Sequence, residues 1–296
     1  MKKAYIYLHT AVFLFGFTAI LGKLISLPEI SLVWWRLFIT CTSIVLIPGV
    51  VKAARQLTSG QLLRLSGIGI IVACHWVTFY GSIKFSNVSV ALSCFATTSF
   101  FTSILEPLIR KQPFKIYELL LGFVVIPGMF LIFTFGGFNY ITGITMGLIS
   151  AFLASLFSVL NKGMVDDIDP LPITLIELGA GMLFLTPLVP FYLNWLGSTA
   201  FLPSGMDIFY LLILALLCTT LAYVLSLLAL QKLSAFTNTL TINLEPIYGI
   251  VLSWFFFQEH KEMSMGFYLG SFLIILAVFA HPFLRKYFES GKKDSN

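Results

Sequence analysis

Ten apolar stretches occupy this chain almost from end to end, and each is about as long as a lipid bilayer is thick. They run Tyr5–Ile25, Leu32–Val51, Leu65–Ile83, Val88–Ile109, Ile116–Phe135, Ile141–Leu160, Ile173–Trp195, Ile208–Leu230, Phe236–Phe257 and Met265–Phe283. A helix needs roughly 20 apolar residues to cross the hydrocarbon core. With 58% hydrophobic and 10% charged residues, the chain has too little charge to cover a soluble surface. The expected fold class is therefore all-α integral membrane, with ten transmembrane helices.

The connections are short, the longest being Lys52–Arg64 and Asn194–Asp207, so none can fold into a soluble catalytic domain. The net charge of +5 is spread over loops rather than gathered in a patch, which argues against nucleic-acid binding. Cys41, Cys74, Cys94 and Cys218 all fall in apolar stretches without metal-ligand spacing, and His9, His75, His260 and His281 stand at unrelated positions. No metal site, cofactor or enzymatic activity is expected. No phosphate-binding loop of the form Gly-x-x-x-x-Gly-Lys-Ser is present to drive pumping by nucleotide hydrolysis. An intramembrane enzyme would need a convergent His/Asp or His/Glu set, and none is found. Met1-Lys2-Lys3 and the apolar run behind it imitate a signal peptide, but the run is too long and no small-x-small cleavage site follows, so it is expected to stay as the first span.

Lys and Arg set the expected orientation. With a cytoplasmic N-terminus and ten alternating spans, fourteen lie on the cytoplasmic side and only Lys23, Lys84 and Lys261 on the other, with Arg36 inside a span. Both termini are thus expected in the cytoplasm, in the cytoplasmic (inner) membrane of a cell.

The second half of the chain echoes the first. A shift of 148 residues lays Lys84-Phe85-Ser86 on Lys232-Leu233-Ser234, Leu92 on Leu240 and Gly122 on Gly270; earlier in each half a shift of 139 lays Gly22-Lys23 on Asn161-Lys162. Repeats of five spans, residues 1–137 and 138–296, must enter the membrane from opposite sides because five is odd. Two related halves of opposite orientation have two nearly equivalent arrangements, one open to each side, with a site between them near the midplane.

Several residues carry a likeness to a known family. They are Trp35-Arg36, Asn161-Lys162, the run Ala229-Leu230-Gln231-Lys232-Leu233-Ser234, then Leu244-Glu245-Pro246, Glu259, and Gly122 and Gly270. In order and spacing the chain resembles the EamA-type, ten-helix members of the drug/metabolite transporter superfamily. Thr98 stands where that pattern has proline, and Lys111 where it has an acidic residue. The resemblance implies a transporter of small metabolites, often an exporter, with a central cavity lined by both halves.

Strongly polar residues inside spans are costly, so they are functional candidates by default. Glu245 lies near mid-depth in the ninth span, and at helical spacing Asn238, Thr241, Glu245 and Tyr248 share one face. Glu245 is either a cavity residue or a hydrogen-bonded staple between helices. His75 lies mid-span beside Trp76 and Tyr80 and suits either a binding pocket or a neutral hydrogen bond. The candidate substrate-binding set is His75, Trp76, Tyr80, Asn238, Glu245 and Tyr248. Arg36 keeps its charge, so it must snorkel, pair or anchor an anion at the outward mouth. Glu177, beside Gly179-Ala180-Gly181, reads as a structural or gating residue, and inverted symmetry does not make it Arg36's partner. Ser89, Ser93 and Thr97 form a weaker hydroxyl line in the fourth span.

The expected function is a secondary transporter, exporter or facilitator, moving a small net-neutral metabolite such as an amino acid by alternating access. The alternative is an exporter of hydrophobic cations with Glu245 as counter-ion. The expected partners are that small-molecule substrate and the lipid bilayer, with no nucleic acid. Proton coupling through Glu245 or His75 and passive facilitation both fit the residues.

Overall fold

The structure, a computed structural model, describes residues 2–136, 140–245, 248 and 265–290. Every regular element among them is a helix: α1 Lys2–Phe15, α2 Thr18–Leu24, α3 Glu29–Val45, α4 Val50–Arg55, α5 Ser59–Phe85, α6 Val88–Phe95, α7 Thr98–Arg110, α8 Ile116–Gly136, α9 Ile141–Met164, α10 Pro170–Leu196, α11 Gly205–Ala215, α12 Ala222–Leu230, α13 Ala235–Ile242 and α14 Met265–Ser290. A π-helical turn, Leu216–Leu221, joins α11 to α12.

Six helical segments among the described residues are long and apolar enough to cross a membrane: Lys2–Leu24, Ser59–Phe85, Val90–Arg110, Ile141–Met164, Pro170–Leu196 and Gly205–Leu230. The second apolar stretch is shorter than its composition implies. α3 stops at Val45, and the chain turns through Pro48, which has no N–H to donate, and Gly49 at φ 86°, before α4 begins.

The ends of the bundle are tied by cross-helix bonds. At one end Lys162 Nζ donates to Leu230 O (2.9 Å) and meets Asp166 (3.2 Å), which also lies 3.7 Å from Arg110. At the other, Lys84 Nζ donates to Ile25 O, Ser26 donates its N–H (2.8 Å) and hydroxyl (2.6 Å) to Asp207, and Tyr192 donates to Glu29. Large apolar side chains such as Leu183, Phe123 and Phe191 remain exposed on the outer surface, as a lipid-facing surface requires.

The principal helix pairs are α8 with α14, α5 with α9, α1 with α12, α5 with α10, α3 with α10, α7 with α9, and α7 with α13. α5 and α10 approach closely through glycine. A Cβ on Gly69 would fall 1.9 Å from Glu177 O, and one on Gly181 would fall 2.8 Å from Gly69 O. In the Gly179-Ala180-Gly181 run it is Gly181 that makes this contact, since a Cβ on Gly179 would only touch Cys41 Sγ at 4.0 Å.

Candidate functional site

Among the described residues, three apolar stretches break well inside their length, unlike the second, which turns near its end. The first breaks at Gly16-Phe17 between α1 and α2, the fourth at Ala96-Thr97 between α6 and α7, and the ninth at Asn243-Leu244 after α13. Broken helices free backbone carbonyls, which at membrane depth is tolerated only where the backbone is buried in protein or lines a cavity. Side-chain hydroxyls take part of that duty: Thr18 donates to Phe15 O (2.7 Å), Thr97 to Cys94 O (2.7 Å) and Thr98 to Phe95 O.

All three breaks border one internal cavity of about 80 Å³. It is lined by Phe15 and Thr18 at the first break, Phe95 and Thr98 at the second, and Ile242 and Glu245 at the third. Arg36 of α3, His75, Trp76 and Phe79 of α5, and Ala154, Phe157, Ser158 and Asn161 of α9 complete much of the wall. Tyr223, Ser226, Leu227 and Leu230 of α12 and Asn238 and Thr239 of α13 supply the rest. One buried water needs about 10–15 Å³, so this volume holds a few waters or the polar head of a small solute.

Arg36 is buried at 2% exposure and does not snorkel to the surface. Its Nε donates to Thr219 Oγ1 (2.5 Å), Nη1 to Tyr80 OH (2.8 Å) and Nη2 to Cys218 O (3.5 Å). The guanidinium lies 3.8 Å over the Trp76 ring. The π turn makes this cradle, because Thr219 and Thr220 hydroxyls donate back to Leu214 O and Ala215 O and leave Cys218 O turned to the arginine. Among the described residues no carboxylate lies within 4 Å of Arg36; Glu245 is the acid within electrostatic reach.

Glu245 is buried at 5% exposure, and Thr18 Oγ1 sits 3.2 Å from its Oε1. It therefore both lines the cavity and touches the helix across it. Asn238 lines the cavity with its Nδ2 3.4 Å from Ser226 Oγ. The turn at Asn243-Leu244 undoes the single polar face that a continuous helix would give this stretch. Thr241 donates to Thr237 O, while Tyr248 is 37% exposed and packs on Phe13 at 5.7 Å, away from the cavity. Pro246 and Glu259 lie outside the described residues.

His75 lines the cavity with Nδ1 2.9 Å from Ser150 O and 2.9 Å from Ser150 Oγ, among Phe79, Phe95 and Phe157. Tyr80 stands behind Arg36 and is fully buried outside the cavity wall. Glu177 does not meet Arg36; Tyr223 OH (2.7 Å) and Asn161 Nδ2 (3.2 Å) both donate to its Oε2. Ser93 and Thr97 are buried but do not reach the cavity. Of the sequence candidates the fold thus brings together Arg36, His75, Trp76, Asn238 and Glu245.

Sequence reasoning passed over Glu106. Its carboxylate accepts the N–H groups of Ala235 (3.0 Å) and Phe236 (2.7 Å), the first residues of α13, and is 5% exposed. A signal was present, since Leu105-Glu106-Pro107 repeats the tripeptide Leu244-Glu245-Pro246. Asn243, also passed over, donates from Nδ2 to Ser99 Oγ (2.9 Å), joining the third break to the start of α7.

The EamA-like transporter family model matches residues 2–134 and 141–280. The chain belongs to this family. It is a multi-pass membrane transporter, the coarser part of what its sequence led one to expect. It is also similar to a Bacillus subtilis (strain 168) protein described as the uncharacterized transporter YxxF, 24% identical over 269 residues that cover 86% of this chain and 82% of that protein. A solved crystal structure superposes with a TM-score of 0.72 at 13% identity, covering 98% of this chain and 99% of the other. That likeness speaks for the fold alone.

Proposed function

We propose that this protein is a secondary transporter that moves a small, net-neutral metabolite such as an amino acid across the cytoplasmic membrane by alternating access. Its ten spans form two inverted repeats, residues 1–137 and 138–296, with both termini in the cytoplasm. The observation that carries the reading is the cavity, bordered by three helix breaks and holding a buried arginine and a buried glutamate on its wall. Discontinuous helices around a central site are the usual construction of secondary transporters. Arg36 gives a substrate carboxylate a partner, Glu245 and Asn238 give an amino group acceptors, and Trp76, Phe79 and Phe157 face an apolar part.

The helix pairing supports the repeat. Exchanging the first and second five spans turns α5 with α9 into α12 with α1, and α7 with α9 into α13 with α1, and these packings are found in both forms. The pairs α8 with α14, α3 with α10 and α7 with α13 exchange into themselves. The chemistry follows the same exchange: in the first half the charged residue of the second span, Arg36, bonds Tyr80 of the third, and in the second half Glu177 bonds Tyr223. The two family matches also fall one on each half.

Melting of the purified protein, screened against amino acids, amines, sugars and phosphates, tests the substrate class, since a ligand that binds the folded state stabilises it. Stabilisation by zwitterionic amino acids that disappears in Asn238→Ala supports the reading. Stabilisation by hydrophobic cations alone moves the function to export of such cations with Glu245 as counter-ion. A response confined to phosphorylated solutes rejects the net-neutral class.

A further inference from the structure

Several buried oxygens have no partner among the described residues: Ser158 Oγ, Asn161 Oδ1 and Asn238 Oδ1 in the cavity lining, and Glu177 Oε1, whose carboxylate bonds the lining residues Asn161 and Tyr223 without itself lining the cavity. Contacts link them in series. Ser158 and Asn161 lie one turn apart on α9, Asn161 Nδ2 is 3.2 Å from both Glu177 Oε2 and Tyr223 OH, and Asn238 is linked to α12 through Ser226. Buried polar atoms are nearly always satisfied, so four open acceptors in one region ask for something that brings positive charge or protons to them.

Glu177 is the centre of this group. It is at 0% exposure, with its backbone pressed on Gly69. Tyr223 and Asn161 both spend their donors on Oε2 and hold the carboxyl group fixed, leaving Oε1 open. Among the described residues no cationic side chain pairs with Glu177. Arg36 of α3 bonds Thr219, Tyr80 and Cys218 instead, and Cys41 lies at Gly179. Lys52 and Arg55 of α4 are exposed on the outer surface, and His75 of α5 is turned to Ser150. Lys162, next to Asn161, points away to Leu230 O and Asp166. Tyr223 is the titratable side chain that faces Glu177.

We infer that Glu177 and Asn161, with Ser158 and Asn238 linked to them, form a site for a single small cation, a proton or a sodium ion, against the wall of the transport cavity. All four groups offer oxygen, the donor a hard cation takes, and the set includes no soft ligand. A cation here stands next to Asn161, Ser158 and Asn238, which also line the cavity, so its occupancy and the solute's are linked through shared side chains. The purpose given to the site rests on the transporter reading, but its filling is tested without any solute.

The test is the melting temperature of the purified full chain in nanodiscs. One titration raises sodium chloride against choline chloride at constant ionic strength; a second varies pH without sodium. The wild type is expected to show a saturable shift of a few degrees in one of the two, identifying sodium or the proton. That shift is expected to vanish in Glu177→Gln, to need several-fold more cation in Asn161→Ala, and to survive in Glu245→Gln. If Glu177→Gln does not fold, Asn161→Ala and Ser158→Ala carry the comparison. Titrations that move the wild type and these variants alike overturn the inference. They would leave any solute-induced stabilisation standing, so the two readings fail separately.

Discussion

Glu106 ties two helices at one end of the cavity, and removing it should loosen that end. Its carboxylate takes the two N–H groups that open α13, at 3.0 and 2.7 Å, in a buried setting. A helix start leaves its first N–H groups without intrahelical partners, and Ser234 Oγ satisfies only Thr237. A hydrogen bond to a charged group contributes about 1.5–3 kcal/mol, and a buried donor left open costs about 1–3 kcal/mol. Glu106→Ala orphans two donors, so it should destabilise the fold by roughly 2–5 kcal/mol. Glu106→Gln keeps one acceptor oxygen and turns an amide NH₂ toward the other donor, so about half that loss is expected. Hydrogen exchange at the Ala235 and Phe236 amides offers a readout besides melting: it should speed up in the order wild type, Glu106→Gln, Glu106→Ala. Melting temperatures and exchange rates that do not follow this order, with Glu106→Ala as stable as wild type, would refute the view that the carboxylate latches α13.

Three further outcomes follow from the packing and the site. Gly69→Ala should cost about 1–3 kcal/mol or more and lower the yield of folded protein, because its Cβ would meet backbone at 1.9 Å rather than a movable side-chain tip; Gly67→Ala, with nothing within 4 Å, is the control that should melt like wild type. Glu245→Gln keeps the size of the side chain and can meet Thr18 Oγ1 as donor or acceptor, so it should express and melt within about 1 kcal/mol of wild type while losing transport or its dependence on pH; normal transport across the pH range would remove any titrating role. Alkaline phosphatase fused after Asn296 should be inactive, and an active fusion would reverse the assigned orientation.

The length of the apolar stretches made the membrane class legible, because bilayer thickness sets a length that composition alone reveals. Polarity inside spans was legible too: His75, Trp76, Asn238 and Glu245 are polar or amphipathic groups at mid-span, and they border the cavity together with Arg36, which the sequence puts nearer the outward mouth. What sequence concealed was backbone irregularity. Apolar windows read straight through Gly16-Phe17, Ala96-Thr97 and Asn243-Leu244, so Tyr248 was assigned to a face that a continuous helix would have given it. Arg36 could have snorkelled on length alone; its cradle depends on a π turn in Leu216–Leu221, whose residues carry no one-dimensional mark of that geometry. Glu106 was hidden by its position near a span end, where charged residues are ordinary.

The claim that the cavity between the broken helices is the transport site meets its most direct test in counterflow. Proteoliposomes loaded with unlabelled amino acids would be challenged with trace labelled amino acid outside, using wild type, Trp76→Ala and Asn238→Ala. The wild type should accumulate label transiently and saturably, and both variants should lose most of that signal while remaining folded. Counterflow undiminished in both variants, or found for phosphorylated solutes with no amino-acid exchange, would contradict the account.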